Sequence, residues 1–371
     1  MRSASEKTVP GPIIRILGAA AVVGMLSVAA HADWSVVNLN PVGAITSEAH
    51  GTDGAQQSGF AWVDDVPRAS LWTGSAESWV DLHPAGATAS QVYSAQGGQQ
   101  AGMAVVDLHG HAGLWTGSAA SWVDLHPAVA ASSEAYGVYG DQQVGMAMLN
   151  GTQHASLWTG SAASWVDLSP AGSTNSWAMD VYENQQVGMA GFGNVQRASL
   201  WTGSAASWID LTPAGATSSQ ARGVFAGQQV GRATVGGVSG AGFWTGSAES
   251  WVSLHPAGTG SSCANDEYGG QQVGWATLNG YSHAGIWTGS AASWVDLHAL
   301  LPSDFTYSSA YSIWSDGAYT FVAGYGQNAT TGRREALLWV IPEPASVMMA
   351  VVLLALLPNL RRSRRRRATR T

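Results

Sequence analysis

The sequence predicts an all-β fold, a seven-bladed β-propeller built from four-stranded repeats of about 43 residues. Three observations predict it. A Trp-Thr-Gly-Ser-Ala segment recurs at constant spacing, a Gln-Gln-x-Gly segment recurs with it, and the two ends of the repeat array complement each other. A fixed period in the forties is typical of one supersecondary unit repeated along a chain.

Tryptophan marks every repeat twice. The first Trp of the unit recurs every 43 residues, at positions 72, 115, 158, 201, 244 and 287, and a second follows each of them seven residues later. Cross-strand aromatic pairs stabilise an antiparallel sheet by ~0.2–1 kcal/mol relative to alanine pairs. We therefore expect the recurring tryptophans to be core residues.

The unit over residues 133–170 shows how one repeat is organised. Asn150-Gly151 is a strong hairpin signal, because both residues tolerate positive φ. Pro170 ends the last strand, since proline has no N–H for a ladder. Apolar residues alternate onto both faces of the third strand, so each sheet should pack between two neighbours. The four predicted strands cover residues 134–139, 142–149, 154–159 and 164–168.

The ends of the array predict closure into a ring. Residues 33–41 match the fourth strand of the repeat, whereas no fourth strand follows Trp339. The first strand would therefore complete the last blade, which removes exposed sheet edges. The propeller is expected over residues 33–340, with an insertion in the last repeat. An open β-solenoid is the alternative.

The charge of the chain is unevenly distributed. The whole chain carries −8, but residues 33–341 contain 22 acidic residues, six arginines and no lysine. Such an acidic body lacks the basic surface that nucleic acid requires, so no nucleic-acid partner is expected. Cys263 is the single cysteine, which excludes an internal disulfide and predicts a small buried residue.

Both termini carry targeting features. Residues 1–32 combine a basic start, a short apolar run and Ala-His-Ala, which predicts a signal peptide cleaved between Ala32 and Asp33. A membrane anchor is the alternative there. Residues 341–371 combine Pro342-Glu343-Pro344, an apolar run and an arginine cluster, which predict a transmembrane helix with a cytoplasmic basic tail.

Two resemblances add to this interpretation. The segments His111-Ala-Gly-Leu-Trp and His154-Ala-Ser-Leu-Trp resemble the HAF repeats of bacterial extracellular proteins. The C-terminal segment is similar to the PEP-CTERM sorting signal of Gram-negative bacteria. These resemblances imply an exosortase-type processing enzyme and extracellular polysaccharide as partners. They also imply an exported protein of the cell envelope or surroundings, held in the inner membrane by its C-terminal helix until processing.

The sequence offers little chemistry. No catalytic, cofactor-binding or metal-binding motif is recognised, and no cofactor is expected. An aspartate followed two residues later by histidine or another polar residue recurs in five repeats, and such repetition favours a hydrogen-bonding role over a single active site. Trp177 and Tyr281 depart from the repeat pattern and are the candidate ligand-facing residues.

These observations predict a non-enzymatic cell-surface or biofilm-matrix scaffold or adhesion protein. A carbohydrate-binding propeller is the alternative. A polysaccharide-cleaving enzyme is a third hypothesis, since it needs paired carboxylates and Asp266-Glu267 is the unusual acidic pair of the repeats.

Overall fold

The computed structural model describes residues 34–343, which form seven four-stranded antiparallel sheets arranged as the blades of a propeller. The first strands of successive blades contact one another around the centre. The strands are β1 Ser35–Asn38, β2 Thr46–Thr52, β3 Gln57–Val63, β4 Val66–Trp72, β5 Val80–Asp81, β6 Ala89–Gln96, β7 Gln99–Val106, β8 His109–Trp115, β9 Val123–Asp124, β10 Ser132–Tyr139, β11 Gln142–Leu149, β12 Thr152–Trp158, β13 Val166–Asp167, β14 Asn175–Tyr182, β15 Gln185–Phe192, β16 Val195–Trp201, β17 Ile209–Asp210, β18 Ala216–Phe225, β19 Gln228–Val235, β20 Val238–Trp244, β21 Val252–Ser253, β22 Ser262–Tyr268, β23 Gln271–Leu278, β24 Tyr281–Trp287, β25 Val295–Asp296, β26 Phe305–Ser315, β27 Tyr319–Asn328 and β28 Arg333–Pro342.

The predicted closure is confirmed. Strand β1 pairs antiparallel with β28, placing Val36 opposite Trp339, and the seventh sheet has the order β1-β28-β27-β26. Blades one to six each take four consecutive strands, from β2–β5 to β22–β25. Because the first strand lies in the last sheet, the array is a closed ring and the open solenoid was wrong.

The hairpin between the second and third strands follows the predicted turn chemistry. Asn150 and Gly151 adopt φ of 50° and 81°, and they join β11 to β12 with Leu149 opposite Thr152. Two successive positive φ angles give a turn whose twist matches that of the strands. The turn therefore fixes the register of the sheet.

The fourth strand is shorter than predicted. Only Val166–Asp167 pair with β12, while the preceding residues form a 3-10 turn over Ala162–Ser164. The hydroxyl of Ser164 accepts the N–H of Thr159 at 2.8 Å and donates to the carbonyl of Ser161. These local hydrogen bonds compete with the hydrogen bonds of the sheet, so the fourth strand begins only at Val166. The other short helical turns are Ala76–Ser78, Ala119–Ser121, Ala205–Ser207, Ala248–Ser250, Ala291–Ser293 and His298–Leu300.

The core lies between the blades and is centred on the third-strand tryptophans. All seven of these side chains are fully buried, as predicted. Trp158 of blade three packs with Leu114 and Leu125 of blade two, and Trp165 lies against the same cluster. Burying a tryptophan at ~25 cal/mol per Å² contributes about 4–6 kcal/mol before entropy is counted. Cys263 is also fully buried, as expected.

The end of the propeller lies slightly beyond the predicted boundary. Strand β28 continues through Pro342, two residues past position 340. The carboxylate of Glu343 then accepts hydrogen bonds from the Gln271 amide at 2.9 Å and from the Thr320 hydroxyl. Two residues of the proposed sorting motif therefore contact the folded body.

The remaining terminal predictions fall outside the described residues. The signal peptide over residues 1–32, its cleavage site, the residue Pro344 and the predicted membrane helix all lie there. Within residues 34–343, no helix has the length and apolar character needed to cross a bilayer.

Candidate functional site

A β-bulge occurs at the same position in the first strand of every blade. In blade four it lies between Ala178 and Asp180, and in blade six between Ala264 and Asp266. Bulges re-aim the following side chain and are common beside functional sites. The residue after the bulge is small or acidic in every blade: Gly51, Ser94, Gly137, Asp180, Gly223, Asp266 and Ser312.

These strands end around a cavity of about 270 Å³ at the centre of the propeller. We name it the turn-side cavity, because it opens where the first strand of each blade turns into the second. Residues of all seven blades line it, from Thr52 in blade one to Trp314 in blade seven. Its chemistry comes from an arc of aromatic rings and from three carboxylates.

The aromatic arc consists of one ring from each of blades three to seven: Tyr139, Tyr182, Phe225, Tyr268 and Trp314. The centroids of the first four rings are 4.4–4.6 Å apart in sequence, and Trp314 lies 6.0 Å from Tyr268. At the same repeat position blade two has Gln96. The arc is therefore open on one side.

Two of the carboxylates follow the bulges. The Asp180 carboxylate accepts the N–H of Val224 at 2.8 Å, and the Asp266 carboxylate accepts the N–H of Ile313 at 2.9 Å. Burial raises the pKa of both aspartates, and the charge of Asp266 raises the pKa of Asp180 further. Each aspartate thus joins its blade to the next one and keeps a carboxyl group at the cavity.

Glu267 supplies the third carboxylate. Burial, with the neighbouring charge of Asp266, raises the pKa of Glu267 to about 7. Burial in a low-dielectric site disfavours the charged form of an acid, and nearby like charges add to the effect. The cavity therefore holds acidic groups that would gain from a bound cation.

Glycine allows the acidic strands to approach their neighbours. A Cβ on Gly137 would lie 2.9 Å from the Cα of Asp180, and one on Gly223 would lie 2.9 Å from the Cα of Asp266. Any larger residue would displace the strand that carries the carboxylate. These two glycines are part of the geometry of the site.

The arrangement suits an organic cation. Aromatic faces attract cations within about 6 Å of the ring centroid, and a desolvated contact contributes about 2 kcal/mol. A carboxylate paired with a guanidinium or ammonium group adds charge-assisted hydrogen bonds. Within residues 34–343, no three His, Cys, Asp or Glu side chains are arranged so that they could hold a metal ion.

A cluster of side chains fills the middle of the propeller on blades seven, one and two. His50 contacts the Glu48 carboxylate at 3.1 Å and packs against Tyr93 and Tyr311. Arg334 pairs with the same Glu48 at 2.8 Å.

The structure separates the predicted ligand-facing residues. Trp177 is half-buried on β14, the innermost strand of blade four. Tyr281 is 56% exposed at the start of β24 in blade six. Neither lines the turn-side cavity. They stay predictions as ligand contacts.

The recurring aspartates take part in hydrogen bonds within their own blade, as shown by blade two. Asp124 accepts the backbone N–H of His126 and bonds His111 Nδ1, both at 2.8 Å. His126 Nδ1 in turn lies 2.9 Å from the hydroxyl of Ser133 in blade three, which also accepts the N–H of Ala112. The repeated motif thus links adjacent blades.

Sequence reasoning found part of this site. It singled out the Asp266-Glu267 pair, which the structure places in the cavity. It missed Asp180 and the aromatic arc. The available signal was an aromatic residue three positions before the Gln-Gln pair in several repeats, as at Tyr139 and Tyr182.

Comparison with known proteins gives likenesses in structure. No protein-family model matches the chain, and no curated protein matches it. A puromycin hydrolase S511A mutant matches with a TM-score of 0.54 at 12% identity, covering 78% of this chain and 53% of that one. The β-propeller domain of the Trilobed protease from Pyrococcus furiosus matches with a TM-score of 0.53 at 9% identity, covering 79% of this chain and 95% of that one. Pyrococcus horikoshii acylaminoacyl peptidase matches with a TM-score of 0.52 at 8% identity, covering 79% of this chain and 51% of that one.

These likenesses correct the functional expectation. These two similar propellers belong to hydrolase and peptidase chains, so the expected cell-surface scaffold or adhesion role is withdrawn together with its carbohydrate-related alternatives. The chain spans about half the length of the puromycin hydrolase and acylaminoacyl peptidase chains. At such low identity the likeness shows the fold, and function must be argued from the site.

Proposed function

We propose that this chain is a peptide-binding propeller that works with a peptidase-type enzyme and does not itself cleave the peptide. The turn-side cavity would hold a cationic group of the peptide, such as an arginine side chain. The observation that carries this proposal is the convergence of five aromatic rings and three carboxylates on one cavity of about 270 Å³.

The state of the carboxylates favours binding over catalysis. Asp180 and Asp266 each accept a backbone N–H from the next blade, so both side chains are fixed in position. Preorganised acceptors bind a cation at little reorganisation cost. A ligand guanidinium would stack on the arc and replace the solvation that these acids lose on burial.

The peptide class is supported by two observations together. The similar solved structures include an acylaminoacyl peptidase and the β-propeller domain of a protease. Peptides also carry the guanidinium and ammonium groups that the cavity suits. An arc of aromatic faces favours recognition of a ligand side chain, whereas strand addition requires an exposed sheet edge.

Calorimetric titration of the full chain tests this proposal. The ligands are two short blocked peptides that differ only in arginine or citrulline at the central position. Citrulline keeps the shape of arginine and removes its charge. We expect the arginine peptide to bind at least about tenfold more tightly, because cation–π and charge-assisted contacts depend on that charge.

Site variants make the test specific. Asp180→Asn and Tyr182→Leu should each weaken binding of the arginine peptide. Asp124→Asn is the matched control, because it makes the same substitution on β9, outside the cavity. Equal binding of both peptides, or equal loss in the control, would refute the proposal.

We also propose that the chain acts outside the cytoplasm of a Gram-negative bacterium. The signal-like residues 1–32 and the PEP-CTERM-like residues 341–371 support this address, with an exosortase-type enzyme as the processing partner. Mass spectrometry of the protein from fractionated cells should find Asp33 at the N-terminus and a C-terminus near residues 342–344. Recovery of the intact chain from the cytoplasm would contradict it.

A further inference from the structure

Two further cavities lie between blades four and five, away from the turn-side cavity. One has a volume of about 210 Å³ and the other about 110 Å³, and both are lined by Gln220 and Arg232. We name them together the joint-side pocket, since they open near the connection from blade four into β18. The larger part is lined by hydroxyl and amide side chains, and the smaller part adds Met179, Met189 and Arg222.

Arginine is scarce in this acidic body, and four of its six arginines have clear partners. Arg68, Arg197 and Arg334 form ion pairs with carboxylates at 2.6–2.8 Å. Arg333 donates to the carbonyl of Ala44 at 3.2 Å. The two remaining arginines, Arg222 and Arg232, both line the joint-side pocket.

Neither pocket arginine has an ion-pair partner within residues 34–343. Arg232 donates its Nε to the amide oxygen of Gln220 at 3.2 Å. The Nε of Arg222 is buried and meets no hydrogen-bond acceptor in the same part of the chain. A buried polar group without a partner is costly, and a charged one more so. An anion bound in the pocket would remove that cost.

We propose that the joint-side pocket binds a carboxylate attached to an apolar group, such as the C-terminal carboxylate of a peptide ending in an aliphatic residue. The two guanidinium groups are planar donors that match the two oxygens of a carboxylate. Met179 and Met189 offer an adaptable apolar wall beside them.

The polar half of the pocket is joined by its own hydrogen bonds. Ser218 and Thr234 are within hydrogen-bond distance of each other at 3.1 Å, and Gln196 contacts Gln220 at 2.8 Å. The Gln220 amide donates to the Gln196 amide oxygen, and this bond holds Gln220 in place against Arg232. The site does not depend on the cation site, because the two cavities share no lining residue.

Calorimetric titration of the full chain with N-acetyl-leucine and with its amide tests the proposal. The two probes have the same size and apolar side chain, but only the acid carries a carboxylate. We expect the acid to bind at least about tenfold more tightly than the amide, because only the acid forms the charge-assisted pair. Inorganic phosphate serves as a second probe and should bind more weakly than the acid, since it has no apolar group for the methionine wall.

Matched variants locate the binding. Arg222→Gln and Arg232→Gln should each weaken binding of the acid at least about tenfold, with unchanged circular dichroism showing that the fold persists. Arg68→Gln loses the same charge in blade one and should bind like the parent. Equal binding of acid and amide, phosphate binding as tightly as the acid, or an equal loss in Arg68→Gln would overturn the proposal. Failure of the arginine-peptide titration would leave this result untouched.

Discussion

The N–H of Leu39 donates to the carbonyl oxygen of Ala336 at 2.8 Å, a hydrogen bond that joins the entry of the chain to its last strand. Leu168 makes the same 2.8 Å bond to Ala155 within blade three. Both leucines are fully buried. The two sites differ in one respect: a short turn links β12 to β13, whereas β1 reaches β28 only around the whole ring.

This difference predicts a seam at the closure. Leu39→Ala and Leu168→Ala should each lower the free energy of unfolding by about 2–5 kcal/mol, the usual cost of truncating a buried leucine. Only Leu39→Ala should also speed hydrogen exchange at residues 336–339, because a separated β1 has no short loop to bring it back. Hydrogen-exchange mass spectrometry compares the two variants. An equal increase in exchange at β28 in Leu39→Ala and at β12 in Leu168→Ala would argue against a seam.

The acids of the turn-side cavity predict a dependence of stability on pH. The pKa of Glu267 is about 7 in the folded protein and 4.5 for a free glutamate. Between pH 4.5 and 7, Glu267 in the folded protein therefore keeps a proton that it has lost in the unfolded chain. The stabilising contribution is complete below pH 4.5 and is lost as the pH rises through 7. Asp180 and Asp266 act in the same direction.

Urea unfolding between pH 5 and 8 measures this effect. The free energy of unfolding should fall with rising pH, by at most about 1.4 kcal/mol per unit for each group. Glu267→Gln should flatten the profile, because the amide resembles the protonated acid. Asp124→Asn leaves the three cavity acids in place and should keep the slope. A profile that rises over this range in the parent protein would contradict the expected protonation.

The link between blades predicts a cost for removing one hydroxyl. Ser133→Ala should destabilise the protein by about 1–3 kcal/mol, because the buried N–H of Ala112 loses its acceptor. Ser132→Ala, one residue earlier on the opposite face of β10, is the control and should change stability little. Denaturant unfolding separates the two. Equal midpoints for both variants would show that the link contributes nothing.

The close approach at Gly223 predicts a coupled loss of stability and binding. A Cβ there would lie 2.9 Å from the Asn265 carbonyl oxygen and from the Asp266 Cα. Gly223→Ala should therefore lower the free energy of unfolding by about 1–3 kcal/mol. It should also weaken binding of the arginine peptide, because the added methyl group displaces Asp266. In Gly110→Ala the nearest atoms would be 3.6 Å away, so the control should keep both properties. Thermal unfolding and calorimetry on the two variants check this.

Much of the fold could be predicted because the repeat exposes it. The constant spacing of Trp158 and its equivalents gave the unit, and the match of residues 33–41 to a fourth strand gave the closure. The length of the fourth strand could not be predicted in the same way. The Ser164 hydroxyl makes local bonds that compete with the ladder, and alternation alone carries no sign of them.

The site was harder to predict, because it depends on a bulge. The extra residue at Met179 shifts the pairing between Ala178 and Asp180, and strict alternation therefore assigns the wrong direction to Asp180. The aromatic arc depends on closure as well, since Tyr139 and Trp314 share a cavity only once the ring is formed. Charge counting likewise gave the acidity of the body but not the pairing state of Arg222 and Arg232.

The position of Glu343 has a consequence for whatever follows it. Its backbone N–H bonds Ala318, and its carboxylate bonds Gln271 and Thr320, close to the turns between the first and second strands of blades six and seven. Glu343 therefore lies on the same side of the propeller as the aromatic arc. A group attached at Glu343 would start its reach beside Tyr268 and Trp314, so its local concentration would be highest at the mouth of the turn-side cavity.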